Sequence, residues 1–523
     1  MRWLYFLAVL LPVSAVIAGP LQDPIRLTSG PITGRVADGL HVYKGIPYAA
    51  PPVGPLRWRE PQPPPPWTQP RPCLSYGPSC PQADSPLDRD PTTVNQSEDC
   101  LHLNVWTPAQ ETDAKLPVMV WLHGGGLVQG SGSKPFYDGA SLARRGVVLV
   151  TINYRLGAFG FFTHPGLGGP PGPGGLEART TDYRGNWGIL DQIAALQWVR
   201  DNIGQFGGDA ERVTILGESA GALSVHILMA SPLARGLFHG AIAESGAAPA
   251  RTLTLEKSRA LWQQKAAALG IADWAGGLAA LRARSAAEIV KMSGSVGSLP
   301  GKSGTEMLCL DGQVLTENPA GTFAAGREAP VPFIVGSNAD EGTLFTRQGA
   351  PKTVRGYEFI VRRMFGELAD DVLRLYLART DAEVRDAFAA ALGDVSFTVN
   401  ARRSARWHAA AGHPTWRYFF NYLPPAAEKS GLRVTHGIEI PFVFGTLPAT
   451  MASPEARTLS DQMGAYWVAF ARTGKPEAEG LPEWDGYDAT RDNVLAFDKQ
   501  VGPQEHLRAE QCDLWDKVVK TRE

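Results

Sequence analysis

The amino-acid sequence predicts an α/β fold in which a mostly parallel central sheet is covered by helices on both faces. Three observations predict it. Apolar, β-branched runs closed by glycine recur, as in LPVMVWLHGGG (116–126) and GVVLVTINYRLG (146–157), which suits strands buried on both faces. Between such runs lie segments with apolar residues at helical spacing, such as GILDQIAALQWVRDNIGQF (188–206), which stops before two glycines. Strand-like and helical segments alternate, which calls for crossover connections and hence a parallel sheet.

Taken in order, the N-terminus MRWLYFLAVLLPVSAVIAGP has one early Arg, an apolar run and a small-residue end, and reads as a signal peptide over 1–18 cleaved after Ala18. The run is short for a membrane span and nothing basic follows it, so the mature chain is expected to be secreted or periplasmic without stable membrane insertion. Proline-broken, strand-like pieces follow, with QPPPPWTQPRP as a stiff surface connection. After the two strands and the helix already named come a buried strand RVTILG (212–217) and a helix SAGALSVHILMA (219–230). GAIAESG (240–246) and PFIVGSNADEG (332–342) repeat the strand-then-glycine theme. Stretches around 254–330 and 352–410 are rich in Ala, Arg and Glu and read as helical insertions capping the sheet, and RTLSDQMGAYWVAFARTG (457–474) reads as a late helix. No repeat and no long linker divides the chain, so residues 19–523 are expected to form one unit.

With 44% hydrophobic and 20% charged residues, the 523-residue chain is globular rather than disordered. A formal net charge of −2 and the lack of any long basic run argue against nucleic-acid partners and an electrostatic membrane anchor. An oxidising destination favours at least one disulfide among Cys73, Cys80, Cys100, Cys309 and Cys512. Cys80 and Cys100 are the best local pair, closing a polar loop that holds the sequon Asn95-Gln96-Ser97; spacing alone leaves the connectivity open.

The chemistry centres on GESAG (217–221), set between the strand VTIL and a helix. That is the context of a nucleophile elbow, where Gly217 and Gly221 allow a strained turn and close helix–strand packing around Ser219. A serine hydroxyl needs a general base, a carboxylate to orient that base, and backbone donors for the oxyanion. WLHGGG (121–126) ends a strand, and its glycines let N–H groups approach an oxyanion without an intervening Cβ. Of the 10 histidines, His226 falls in the helix after Ser219 and reads as packed or half-exposed, whereas His436 in THGIEIPFVFG lies on a late loop suited to the base. SNADEGTLF (337–345) puts Asp340 and Glu341 at the carboxyl end of a strand, where open α/β sheets gather their functional groups.

These segments, with YKGIPYAAPPVGPLRW, SEDCLHLNVWTP and NYRLGAFGF, resemble the type-B carboxylesterases, the carboxylesterase and cholinesterase family of the α/β-hydrolase fold. The likeness runs from about Pro31 to about Cys512. It implies a serine carboxylesterase with Ser219 as nucleophile, His436 as base and Glu341, rather than Asp340, as acid. It further implies an oxyanion hole from the N–H groups of Gly125, Gly126 and Ala220, a Cys80–Cys100 disulfide, and buried Arg57–Glu98 and Arg155–Asp191 pairs. Glu218 either tunes the histidine or merely fills the motif. No metal or organic cofactor is expected, since the Cys and His residues show no ligand spacing.

The expected partner is a small-molecule ester. Cholinesterases carry a Trp between the two cysteines of this loop to hold a quaternary ammonium, and here the 80–100 loop has no aromatic residue, which argues against a choline ester. SGSVGSLPGKSGTEMLCLDG (293–312) also lacks aromatics, suggesting a roomy or polar acyl site in which Lys302 is either a surface residue or a partner for a carboxylated acyl chain. The long insertion at 166–185 either flanks the site or decorates the surface. The alternatives are a specialised hydrolase of a polycarboxylic or natural-product ester, lactone or thioester, and, in another class, a non-catalytic binding protein.

Overall fold

The structure, a computed structural model, describes residues 21–84, 95–167, 185–271, 273–274, 276–293, 307–347 and 349–520. The signal peptide, Lys302 and nearly all of the 166–185 insertion lie outside these residues.

Eleven strands form the main sheet: β1 (Arg35–Ala37), β2 (Leu40–Pro47), β3 (His102–Thr107), β4 (Leu116–Leu122), β5 (Val148–Ile152), β6 (Gly208–Glu218), β7 (Gly240–Glu244), β8 (Phe333–Asn338), β9 (Thr415–Phe420), β10 (Val494–Phe497) and β11 (Gly502–Gln504). Their spatial order is β11-β10-β9-β8-β7-β6-β4-β5-β3-β2-β1. From β5 through β10 all neighbours are parallel, and the flanking strands at both ends are antiparallel.

The period of two along β4 explains how both faces are covered. Val118, Val120 and Leu122 enter one core, with residues of helices α1 (Trp187–Asn202) and α2 (Ala220–Ala230). Met119 and Trp121 point to the other core, built with Met463, Tyr466, Trp467 and Phe470 of α4 (Pro454–Thr473). A third cluster packs helices of the 352–410 region, including α3 (Val384–Gly393), against the C-terminal helix. Among the described residues, the 254–330 region carries helices at Leu255–Ala267, Leu278–Arg282, Ala286–Val290 and Pro319–Ala324, with a two-residue parallel pairing of Leu253–Thr254 with Cys309–Leu310. Among the described residues no helix is long and apolar enough to cross a membrane.

The strands and helices read from periodicity appear with ends moved by a few residues; β6 begins at Gly208 and α1 continues as a 3-10 turn, Ile203–Phe206. Strands β9 and β10 were not anticipated. TWRYFF (415–420) is aromatic-rich but does not alternate, because it is buried on both faces, and VLAF (494–497) is too short to show a period.

Two ion pairs brace the fold. Arg155 clasps Asp191 through Nε at 2.8 Å and Nη2 at 2.7 Å, both fully buried. Arg57 clasps Glu98 through Nε at 2.7 Å and also donates to the carbonyls of Leu281, Arg282 and Arg284, tying the cap to the sheet. The Cys80–Cys100 disulfide is not formed in this structure: all five cysteines are buried thiols. Cys80 and Cys100 are nonetheless in hydrogen-bond contact, which with burial pushes the Cys100 thiol well above its ordinary pKa. Two adjacent thiols are the reduced form of the expected bridge.

Candidate active site

The site gathers at the carboxyl ends of β4, β6 and β8, as the sheet order requires. Strand β6 ends at Glu218, α2 begins at Ala220, and Ser219 between them is held at φ 57° and ψ −119°, a conformation costly for a residue with a Cβ. Tertiary contacts impose it. Ser219 N–H donates to Glu244 C=O at 2.9 Å, and a Cβ on Gly221 would lie 1.9 Å from the Leu122 carbonyl, so the turn is pressed against the end of β4.

The loop after β4 closes over this turn. A Cβ on Gly124 would come 3.1 Å from the Ser219 Cβ, and Gly125 and Gly126 have φ of +109° and +62°. The Gly125 carbonyl accepts from the N–H groups of Val128 and Gln129 at 3.1 Å. The N–H groups of Gly125, Gly126 and Ala220 donate to no acceptor among the described residues.

His436 is brought in from the loop beyond β9. Its Nδ1 lies 2.6 Å from Glu341 Oε2, and the other Glu341 oxygen accepts from Ser245 Oγ at 2.5 Å and Asn338 N–H at 2.7 Å. Asp340 faces away, accepting from Val434 N–H at 3.2 Å. His436 Nε2 is buried and has no hydrogen-bond partner, so no bond to Ser219 Oγ is closed here; its near neighbour is Glu218 Oε1 at 3.1 Å, outside hydrogen-bond geometry. A carboxylate in that place acts on the imidazole electrostatically. His226, by contrast, is fully buried in α2, bonded to Ala222 C=O at 2.8 Å and Ser404 Oγ at 3.0 Å.

The electrostatics follow from burial among carboxylates. Burial opposes charging His436, but the charges of Glu218 and Glu341 and the Glu341 hydrogen bond outweigh it and raise its pKa to about 9. Burial pushes Glu218 up to about 7, against the pull of His436, and Glu244 up to about 8, against a 2.8 Å hydrogen bond from Trp467 Nε1. Burial, then the charges of Glu218, Glu341 and Glu244, holds Glu439 well above the carboxylate range. Glu439 also accepts from Ser245 Oγ at 3.2 Å and from Asn338 Nδ2.

Sequence reasoning missed Glu244 and Glu439 as members of this cluster, although both lie inside quoted motifs. It also missed Phe345 and Phe397, whose rings stand 5.1 Å and 4.6 Å from the His436 ring and form an aromatic wall. Among the described residues no group of His, Cys, Asp and Glu could hold a metal ion.

The chain matches the Carboxylesterase family over residues 22–515. It is 38% identical to a fumonisin B1 esterase of Sphingopyxis macrogoltabida, covering 97% of this chain and 92% of the relative. It is 36% identical to a para-nitrobenzyl esterase of Bacillus subtilis, covering 90% and 94%. A solved PNB esterase superposes with a TM-score of 0.78 at 33% identity, covering 94% of this chain and 99% of that one. With its extended sheet, its strained serine turn and these relatives, the chain belongs to the carboxylesterase family, has the α/β-hydrolase fold and is a carboxylic ester hydrolase.

Proposed function

We propose that the ester is cleaved by Ser219 through a covalent acyl-enzyme, with His436 as base and Glu341 as its orienting acid. The observation that carries the reading is the state of His436: Nδ1 is anchored on Glu341 at 2.6 Å while Nε2 is buried and unbonded. Ser219 Oγ attacks the ester carbonyl as its proton passes to Nε2, forming the new C–O bond. The oxyanion rests on the N–H groups of Gly125, Gly126 and Ala220. Collapse breaks the bond to the alkoxy group, which leaves as alcohol with the proton from Nε2. Water then repeats the sequence on the acyl-enzyme and releases the acid. Ser219→Ala is expected to cut kcat by at least about 10³-fold on an aryl ester and to abolish labelling by a fluorophosphonate; substantial retained turnover excludes the assignment. A wild type that fails to react with a fluorophosphonate excludes Ser219 as the activated nucleophile.

The chain is further proposed to be exported, with removal of residues 1–18 and closure of a Cys80–Cys100 bridge. The contact between these two thiols supports the bridge. N-terminal sequencing of the exported protein together with a thiol count tests both; five titratable thiols in it reject the bridge.

A further inference from the structure

Beside the turn of Glu341 lies a cavity of about 180 Å³ whose buried floor is Thr346, Ala389 and Thr435 and whose exposed rim carries Arg347, Arg385 and Arg433. Three arginines line it with one carboxylate residue, Asp386, which pairs with Arg433 at 2.7 Å on an exposed surface. Arg347 and Arg385 make no ion pair or side-chain hydrogen bond among the described residues. On the floor, the Thr435 hydroxyl is buried without a partner. Unpaired guanidinium forks around a free buried hydroxyl match the acceptors of a carboxylate.

The cavity borders the segments that carry His436 and Glu341. Thr435 directly precedes His436, so their Cα atoms are about 3.8 Å apart. Helix α3 lies on the Glu341–Gly342 turn so closely that a Cβ on Gly342 would sit 1.9 Å from the Ala389 carbonyl. Arg385 is one helical turn before Ala389, on the same face.

We propose that this cavity is an anion subsite that takes a carboxylate of the ester whose carbonyl is attacked at Ser219. The proposal rests on the Ser219 reading and adds a substrate class to it: esters carrying a further free carboxylate. Arg347 and Arg385 supply the recognition, and the Thr435 hydroxyl donates from the floor.

The test compares kcat/KM for an aryl hexanoate and the aryl monoester of adipic acid, of equal chain length, at low salt. The proteins are the wild type, Arg347→Gln, Arg385→Gln, the double variant, and Arg363→Gln as an exposed arginine outside the cavity. The anionic-to-neutral ratio is expected to fall about threefold for each single variant and about tenfold for the double, with the neutral ester within twofold of wild type. Arg363→Gln is expected to leave the ratio unchanged. An unchanged ratio in the double variant overturns the proposal, and so does an equal fall in Arg363→Gln, which would report net charge alone. Inhibition by free succinate that weakens in the double variant while the ratio holds also overturns it, because the cavity then binds carboxylates apart from the substrate. Ser219→Ala is run beside these. Retained turnover there removes Ser219 as nucleophile, yet leaves the ratio test, which needs only wild-type turnover, with its own answer.

Discussion

One carboxylate distinguishes the surroundings of His436 from those of an ordinary buried histidine. Glu218 Oε1 lies 3.1 Å from Nε2, on the side opposite Glu341, so a charge there stabilises the imidazolium and raises the pKa at which His436 becomes a base. Glu218→Gln is therefore expected to move the rising limb of the kcat/KM–pH profile to lower pH, by on the order of one unit. The two groups titrate as a pair, so the limb belongs to both in the wild type and to His436 alone in the variant. A limb that stays in place would mean that Glu218 does not act on the base. Glu341→Gln should behave differently, losing kcat across the whole range, because the amide keeps its oxygen for the Ser245 and Asn338 donors, turns an NH2 group toward Nδ1 and lacks the charge that stabilises the imidazolium.

At the scale of elements, the elbow is a packing problem with one solution. Strand β6 delivers Ser219 to the end of the sheet, and α2 must turn back against β4 with no side chain between them. A Cβ on Gly221 would meet the Leu122 carbonyl at 1.9 Å, and one on Gly217 would meet it at 2.6 Å. Both obstacles are backbone, so neither can swing aside. Gly221→Ala is expected to cost about 1–3 kcal/mol, read from the urea midpoint at unchanged m-value. Its kcat should fall further than that loss explains, since relief of the clash displaces Ser219 from the amides of Gly125 and Gly126. Register also sets the electrostatics: Glu218 of β6 and Glu244 of β7 are paired residues on adjacent parallel strands.

At the scale of the whole molecule, buried charge couples stability to pairing and to pH. Arg155 and Asp191 are both sealed from solvent, so Arg155→Met strands a buried carboxylate at a cost of about 3–5 kcal/mol. The double variant Arg155→Met, Asp191→Leu should recover much of that loss in thermal melting, because no unpaired charge remains. Glu244 has the opposite problem. Its folded pKa, about 8, is raised above the unfolded value, so its contribution is fully present below about 4.5 and is lost as pH rises through 8. Glu244→Gln keeps an acceptor for Trp467 Nε1 and carries no charge. Its stability advantage over wild type is expected to grow between pH 5 and 8 and then level off; an advantage independent of pH would show that Glu244 is not protonated in the fold.

Local pattern by itself determined the buried strands at 116–122 and 148–152, the helices after Asn186 and Ser219, the strand–turn–helix around GESAG, and the placing of Glu341 after a strand and His436 on a late loop. Each is set by side-chain period or by the steric needs of a turn, which act over a few residues. Residue pattern left Asp340 and Glu341 open and the family resemblance pointed to Glu341; only the tertiary structure decided that Glu341 Oε2 meets Nδ1, that Glu218 stands at Nε2, and that Glu244 and Glu439 join the cluster. The same holds for Phe345 and Phe397 against the imidazole, and for three arginines from separate segments around one cavity. These distances depend on strand order, register and loop packing between residues up to about two hundred positions apart, and no local period encodes them.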